Sequence, residues 1–406
     1  MIPALCCLFA LAAGVLLPEV DERIGQYVPF LFQAGPAGAR AMLSTIAGAM
    51  ISVTGLVFSI TIVVLQLASS QFSPRVLRTF LDDRVPQVTL GVFNASFVYA
   101  LTVMRNVSGS SEGNPEPVPQ IALSVAFVLV LASVAMFLAF IHHITQAISV
   151  DTIIRTVGKE TLSLIDRGRS ESEAAQTPTN GTDPAGGSAD ASSATGPLQV
   201  VVEANDNGYL NYVDQHSLMA LAARHDACVT LVHPLGTYVV PTQPVAIIRL
   251  TAAQESVDWP AQVRKHLTIG WRRSTEQDIT FGIRQLVDIG ERALSPGVND
   301  PTTATQVVNE LHTIMHRIIE TGEVPTVMYD DEGVSRLVSR EWTFAEYLDL
   351  AVDEIAHWGA SSVQIPPRLI EMLTQLGQIA SPEQQQTLLA KRFAVDTLAQ
   401  AARNTG

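Results

Sequence analysis

The sequence predicts a transmembrane domain of four α-helices followed by a cytoplasmic α+β domain, mostly helical with a small mixed β unit. Two observations carry the membrane part. The stretches 41–74 and 117–150 contain no Asp, Glu, Lys or Arg, and only 16% of all residues are charged, against roughly 25% in soluble domains. Neutral stretches of that length need a solvent other than water. A third observation carries the remainder: after residue 197 short alternating runs appear, then longer runs with helical periodicity.

A helix that crosses the hydrocarbon core needs about 20 apolar residues. Met1 to Pro18 is the first candidate, and it is short. Because it lacks a positively charged start and a small-x-small cleavage site, it is expected to stay as an uncleaved span. Ala41 to Ser70 is the second span, long enough to tilt or to project beyond the bilayer. Val85 to Met104 is the third, closed by Arg84 and Arg105, and Pro119 to Val150 is the fourth.

Loop charges set the orientation, because short loops rich in Lys and Arg stay in the cytoplasm. Arg75, Arg78 and Arg84 follow the second span, and Arg155, Lys159, Arg167 and Arg169 follow the fourth. Against these seven cations, the opposite side carries three: Arg23, Arg40 and Arg105. Both termini are therefore expected in the cytoplasm.

Most of the net charge of −14 comes from the second half. An acidic soluble part argues against nucleic acid, whose phosphates need clustered Lys and Arg. It argues equally against that part lying flat on anionic lipid. The three cysteines, Cys6, Cys7 and Cys228, cannot build a disulfide framework, which fits reduced thiols. The expected partners are the lipid bilayer, further copies of the chain and a small ion or anion; no cofactor is expected.

The composition divides the chain into a membrane domain at 1–150, a juxtamembrane helix and linker at 151–197, a small α/β unit at 198–255 and a mainly helical part at 256–406. Residues 168–197, GRSESEAAQTPTNGTDPAGGSADASSATGP, hold nothing that could bury a core. Leu198 to Glu203 reads as a strand, and Asp214 caps a helix from Gln215 to about His225. Val229 to Val232 and Tyr238 to Leu250 read as further strands, the latter broken by Pro241 and Pro244. No GxGxxG or P-loop pattern occurs among them.

Thr275 to Leu294 then has a helical apolar face, stopped by Ser295-Pro296-Gly297. Asp300 followed by Pro301 starts a helix that runs to about Glu320. A hairpin is expected from Val324 to Arg340, turning at residues 330–333, and three helices follow: Thr343 to Trp358, Pro366 to Leu376 and Ser381 to Arg403.

Four blocks in this order carry a resemblance. LASSQFSPRVLRTFLDDRVPQVTLGVF from Leu67, GYLNYVD from Gly208, FGIRQLVDIGERALSPGVNDPTTA from Phe281 and GASSVQIPPRL from Gly359 resemble a bacterial family of predicted membrane proteins, domain of unknown function 2254. The resemblance spans nearly the whole chain and departs from the pattern in the long linker and the curtailed first span. It implies placement in a bacterial inner membrane and names no activity.

Function therefore rests on residues. Ser44, Gly48 and Ser52 recur every fourth position in the second span, with Gly55, Ser59, Gln66 and Ser70 near the same face. Such a stripe either lets helices approach closely or lines a polar path through an oligomer. Gln71, Arg75 and Arg78 would stand at its cytoplasmic mouth, where a symmetric ring of arginines favours anions and a lone pair merely anchors the helix.

In the second half, Arg284, Asp288 and Arg292 stand at i, i+4 and i+8 on one helix, beside the turn that holds Ser295, Asn299 and Asp300. A ladder of this kind is usually structural, but together with the amides at Pro301 it is a candidate face for a partner or anion. His312 and His316 lack the further ligands of a metal site, and no metal is expected. No nucleophile elbow, Cys/His pair or signature carboxylate dyad is present, so enzyme chemistry ranks last. Two functional expectations follow. One is a homo-oligomeric, channel-like conductor with a cytoplasmic gating domain; the other is a membrane-anchored scaffold or sensor.

The topology is directly testable. A cysteine at Ser111 should react with an impermeant reagent in intact cells, and one at Ser188 only after lysis. The reverse pattern, or labelling of both, contradicts the orientation.

Overall fold

The computed structural model describes residues 2–24, 35–71, 84–107, 118–147, 149–175, 198–250, 257–322 and 326–405. They form two compact units, Met1–Ile153 and Ile154–Gly406.

The first unit consists of α1 (Ile2–Ile24), α2 (Pro36–Gln71), α3 (Arg84–Asn106) and α4 (Gln120–Ala147). Each contains a stretch long and apolar enough to cross a membrane: 2–20, 36–66, 84–106 and 120–146. In hydrocarbon a chain must satisfy its backbone internally, and a helix does so residue by residue. α3 lies at the centre of the unit and packs against each of the other three helices.

Close approach explains part of that packing. A methyl group at Gly14 of α1 would sit 2.8 Å from Cβ of Thr102, and one at Gly91 of α3 would sit 3.1 Å from Sγ of Cys6. Bare backbone on both helices brings α1 onto α3, as small residues do between membrane helices. Leu43, Tyr99, Val103 and Leu123 fill the core beside them. The buried polar groups are paired: Ser96 and Ser133 share a 3.0 Å hydrogen bond between α3 and α4, and the Tyr99 hydroxyl donates to the Ala122 carbonyl at 3.0 Å. Arg40 donates to the Val107 carbonyl through Nε (3.2 Å) and Nη2 (2.6 Å), tying the start of α2 to the end of α3.

α5 (Val150–Ala175) leads into the second unit. It extends through the first eight residues of the segment expected to be linker, because Arg, Glu and Ala sustain a helix there. Residues 176–197 lie outside the described residues. Eight strands and seven helices follow among the described residues: β1 (Leu198–Glu203), β2 (Gly208–Val213), α6 (Gln215–Arg224), β3 (Ala227–Leu231), β4 (Tyr238–Val239), β5 (Pro244–Leu250), α7 (Trp259–Arg264), β6 (Leu267–Gly270), α8 (Ile279–Leu294), α9 (Pro301–Thr321), β7 (Val327–Tyr329), β8 (Ser335–Val338), α10 (Phe344–Trp358), α11 (Ile365–Leu376) and α12 (Pro382–Thr405).

The strands make two sheets, ordered β1-β5-β3-β8-β7 and β4-β2-β6. Every pairing is antiparallel except β3 with β8. Through that parallel pairing, strands on both sides of residue 255 share one sheet. Val202, Leu210, Leu218, Ile248, Trp259 and Leu337 bury one core common to both sheets, α6 and α7. The short elements α7 and β6 were not expected from the sequence. A six-residue helix and a four-residue strand are too brief to show a period, although Asp258 caps α7 by accepting from the Ala261 amide at 3.1 Å.

Aspartates begin three further helices. Asp214 caps α6, Asp278 caps α8 and Asp300 caps α9, each accepting an amide three residues on at 3.0–3.1 Å. A cap of this kind contributes about 1 kcal/mol. The cap at Asp278 places the start of α8 four residues later than the apolar period suggested. Asp278 is 1% exposed and also accepts from Arg273 Nε and Nη2, both at 2.8 Å. At Thr343 a capping box with Glu346 starts α10.

The helical half of the unit packs α8 against α9 and α10, α9 against α11, and α11 against α12. Ile283, Leu286, Val307, Leu311, Val352 and Leu369 are wholly buried among them. α5 joins this assembly at Gly282 of α8, where a methyl group would overlap the Thr161 hydroxyl, and through the 2.8 Å Arg317–Asp166 ion pair from α9.

Candidate functional site

The structure places the two sequence-predicted groups very differently: one is an open face on α2, the other a closed ionic cluster on α8.

Ser44, Gly48, Ser52, Gly55, Ser59 and Gln66 of α2 are all exposed. The contrast with α1 and α3 is sharp. Gly14 and Gly91 are in tight helix contact, whereas a methyl group at Gly48 or Gly55 would meet nothing within 4 Å. Among the described residues nothing packs on the stripe; Leu43, Ala47, Met50, Val57 and Val64 on another face of α2 are buried instead. Ser52 bonds back to the Gly48 carbonyl at 2.9 Å, so its hydroxyl is satisfied inside the helix. Ser70 and Gln71 belong to the last turn of α2. Arg75 and Arg78 lie outside the described residues.

The second group begins with the pattern of α8. Its apolar residues recur on one face and bury Ile283, Leu286 and Val287 completely. Arg284, Asp288 and Glu291, at i, i+4 and i+7, flank that face. α10 has a similar buried face at Leu348, Val352 and Ile355, and this brings Glu354 opposite Arg284.

Arg284 is the hub. Its Nε donates to Asp288 Oδ1 at 2.7 Å and its Nη1 to Glu354 Oε1 at 2.6 Å. Its Nη2 donates both to Glu291 Oε2, at 3.0 Å, and to Glu354 Oε2. One guanidinium thus serves three carboxylates from two helices, with side chains 10–44% exposed. Hydrogen bonding to Glu354, followed by that to Asp288, raises the Arg284 pKa further, against the opposing effect of burial. Burial first, then hydrogen bonding and repulsion from Glu354, pushes the Glu291 carboxyl up to about 7.

Arg284 and Asp288 pair as the spacing suggests. Arg292 is exposed and offers its carbonyl to the Ser295 amide and to the Ser295 hydroxyl, the latter at 2.7 Å. Glu291 and Glu354 also bond Arg284. Glu291 stands about one turn beyond Asp288 on the same helix; Glu354, 70 residues beyond Arg284, carries no local signal of the pairing.

The turn from Ser295 to Asp300 is closed by its own backbone. The amides of Val298 and Asn299 donate to the Ser295 carbonyl, and Asp300 N donates to Ala293 O at 2.7 Å. Asn299 holds φ at +49°, a region that Asn tolerates better than most residues. The Asp300 carboxylate accepts from both the Thr303 amide (3.1 Å) and the Thr303 hydroxyl (2.6 Å), bonds that lower its pKa. Asp300 itself thus supplies the negative charge that the start of α9 favours.

Among the described residues, no three His, Cys, Asp or Glu side chains come together as a metal-binding group. His312 Nδ1 accepts a 3.0 Å bond from Arg368 Nη2, and burial followed by that guanidinium lowers its pKa.

Four apolar helices ahead of a mixed α/β unit define a polytopic membrane protein. A family model described as "Predicted membrane protein (DUF2254)" matches residues 1–375, and the chain belongs to that family. An uncharacterized protein of Mycobacterium bovis and one of Mycobacterium tuberculosis are each 33% identical over 385 residues. Each alignment covers 93% of this chain and 71% of the relative. No solved structure matches.

The hub can be tested by removal. Replacing Arg284 with Met leaves three half-buried carboxylates without their common cation, at a cost of about 2 kcal/mol after discounting for solvent screening. All four tryptophans lie beyond residue 250, so their fluorescence during urea unfolding reports on the second unit. An unchanged midpoint in Arg284→Met would contradict this role.

Proposed function

We propose that the protein is a homo-oligomer in the bacterial inner membrane. In this reading the α2 helices of several copies converge to form a channel-like path for small ions or solutes. The second unit acts as its gate or sensor from the cytoplasm. The supporting observation is the open small-residue face of α2. Hydrocarbon gains little from bare glycine backbone, whereas a second helix packs closely against it. At Gln66 the same face carries an amide that lipid cannot solvate, so it calls for a protein partner or water. No residue of α2 between Arg40 and Gln71 is ionisable, which favours a neutral path over a proton relay.

The chain's own four helices support assembly rather than a path within one copy. Ser96 and Ser133, its buried hydroxyls at mid-span, are bonded to each other. A path must then form between copies, and rotational symmetry would repeat one α2 face around an axis. Arg75 and Arg78, close beyond α2 in sequence, would ring its cytoplasmic mouth and favour anions.

A second reading, a membrane-anchored scaffold or sensor, draws on the second unit. With 253 residues it is the larger of the two, and it carries the Arg284 cluster. In that case α2 only tethers and self-associates.

Liposome flux separates the readings. Purified wild-type protein should pass a common small ion or solute, and Ser59→Leu with Gln66→Leu should abolish flux while leaving the oligomer mass unchanged. Absence of flux from wild type for any common ion or small solute sinks the channel reading and leaves the scaffold.

A further inference from the structure

A cavity of about 380 Å³ lies between α1, α3 and α4. It exists because α1 packs chiefly on α3 and meets α4 only sparsely. Ala10 and Tyr99 are buried at its floor, and Ala13 and Ala95 add little bulk beside them. Its edges are large. Leu5 and Phe9 of α1, 62% and 78% exposed, stand on one side, with Val125 and Leu129 of α4 on the other. Leu5, Phe9 and Ala13 fall at i, i+4 and i+8, so the cavity follows the helix for about 12 Å. The result is a groove that runs lengthwise along the membrane unit.

We propose that this groove binds one acyl chain of a membrane phospholipid, held lengthwise between α1 and α4. The inference concerns a different face from the α2 stripe and does not depend on whether the protein conducts.

The chemistry of the lining selects hydrocarbon. Among the described residues that form it there is no carboxylate, amine, guanidinium, imidazole or amide. The Tyr99 ring is turned to the groove while its hydroxyl donates to the Ala122 carbonyl. A polar solute or a headgroup would find no hydrogen-bonding side chain to orient it there, whereas an apolar chain needs none. Left empty, the lining would forfeit its dispersion contacts on one side. Lipid tails are the apolar molecules at hand, and they run in the same direction as the spans.

The shape selects a chain over a helix. Membrane helices approach one another where small residues stand outermost. That is the case at Gly48 and Gly55 of α2, where an added methyl group would meet nothing within 4 Å. In the groove the order is reversed: alanines are recessed, and Leu5 and Phe9 project beyond them. Bulky edges keep a second backbone at a distance but flank a slender chain. Such a chain supplies the packing that α1 and α4 do not give each other.

Photo-labelling of the full-length protein tests the site. Vesicles of phosphatidylethanolamine and phosphatidylglycerol would carry a phosphatidylglycerol probe with a diazirine midway along one acyl chain, and adducts would be mapped by peptide mass. Val92 and Ala95, recessed in the groove, should be labelled severalfold more than Val128, Leu131 and Val134, which are exposed on α4. Ala95→Phe fills the groove and should cut its labelling severalfold while leaving that of Leu131 unchanged. Ala13→Phe fills it from α1, should do the same, and serves if the first variant folds poorly. The probe offered as a free fatty acid should label the groove less than the phospholipid does; the reverse order would overturn the phospholipid as occupant. Labelling in the groove no greater than on exposed α4, as a second copy's helix seated there would produce, overturns the site. Labelling unchanged in both filled variants overturns it as well.

Discussion

Hydrocarbon provides no partner for a backbone amide or carbonyl, and the first 150 residues are organised around that constraint. Helices answer it locally, and the side-chain polar groups answer it pairwise or within their own turn. Ser96 bonds Ser133, Tyr99 bonds the Ala122 carbonyl, and Ser52, Thr54 and Thr61 bond back to carbonyls four residues earlier. With polarity thus neutralised, shape decides packing. Bare backbone at Gly14 and Gly91 lets α1 lie on α3. The same device is present at Gly48 and Gly55 of α2 with nothing against it. A face suited to helix contact and left without one among the described residues is the strongest structural argument for assembly.

The second unit meets the opposite solvent and uses charge where the first avoids it. Its cations sit where elements join. Arg273 secures the start of α8 through Asp278, Arg336 bridges Asp226 and Asp330 beside the mixed sheet, and Lys391 ties α12 to Asp349 and Asp353 of α10. In these three places a cation faces one or two carboxylates. Only at Arg284, among the pairs described, does one cation face three. That gathering of carboxylates on one guanidinium distinguishes the α8–α10 seam from the others.

Several features were legible because their chemistry is local. Neutral runs marked the four spans, and Asp-Pro at 300–301 marked the start of α9, where cap and first-turn proline occur as read. Asp214, Ser295-Pro296-Gly297 and the 330–333 turn likewise bound the elements expected of them. Features that depend on distant residues were not legible. β8 joins β3 across more than 100 positions, and Glu354 reaches Arg284 only because two amphipathic helices happen to face each other. The helical period of 275–294 overstated α8 because the Asp278–Arg273 pair, not hydrophobicity, sets its first turn. For α2 the period located the small residues, but only the packing revealed that this face is open.

Cysteine cross-linking in membranes, in a background with Cys6, Cys7 and Cys228 changed to Ser, tests self-association through α2 most directly. Single cysteines at Gly48 or Ser52 should give an oxidised dimer of the chain, while one at Leu131 of α4, exposed on another helix, should give little. Equal cross-linking at all three positions, or none at Gly48 and Ser52, would contradict the claim that the open face of α2 meets a second copy.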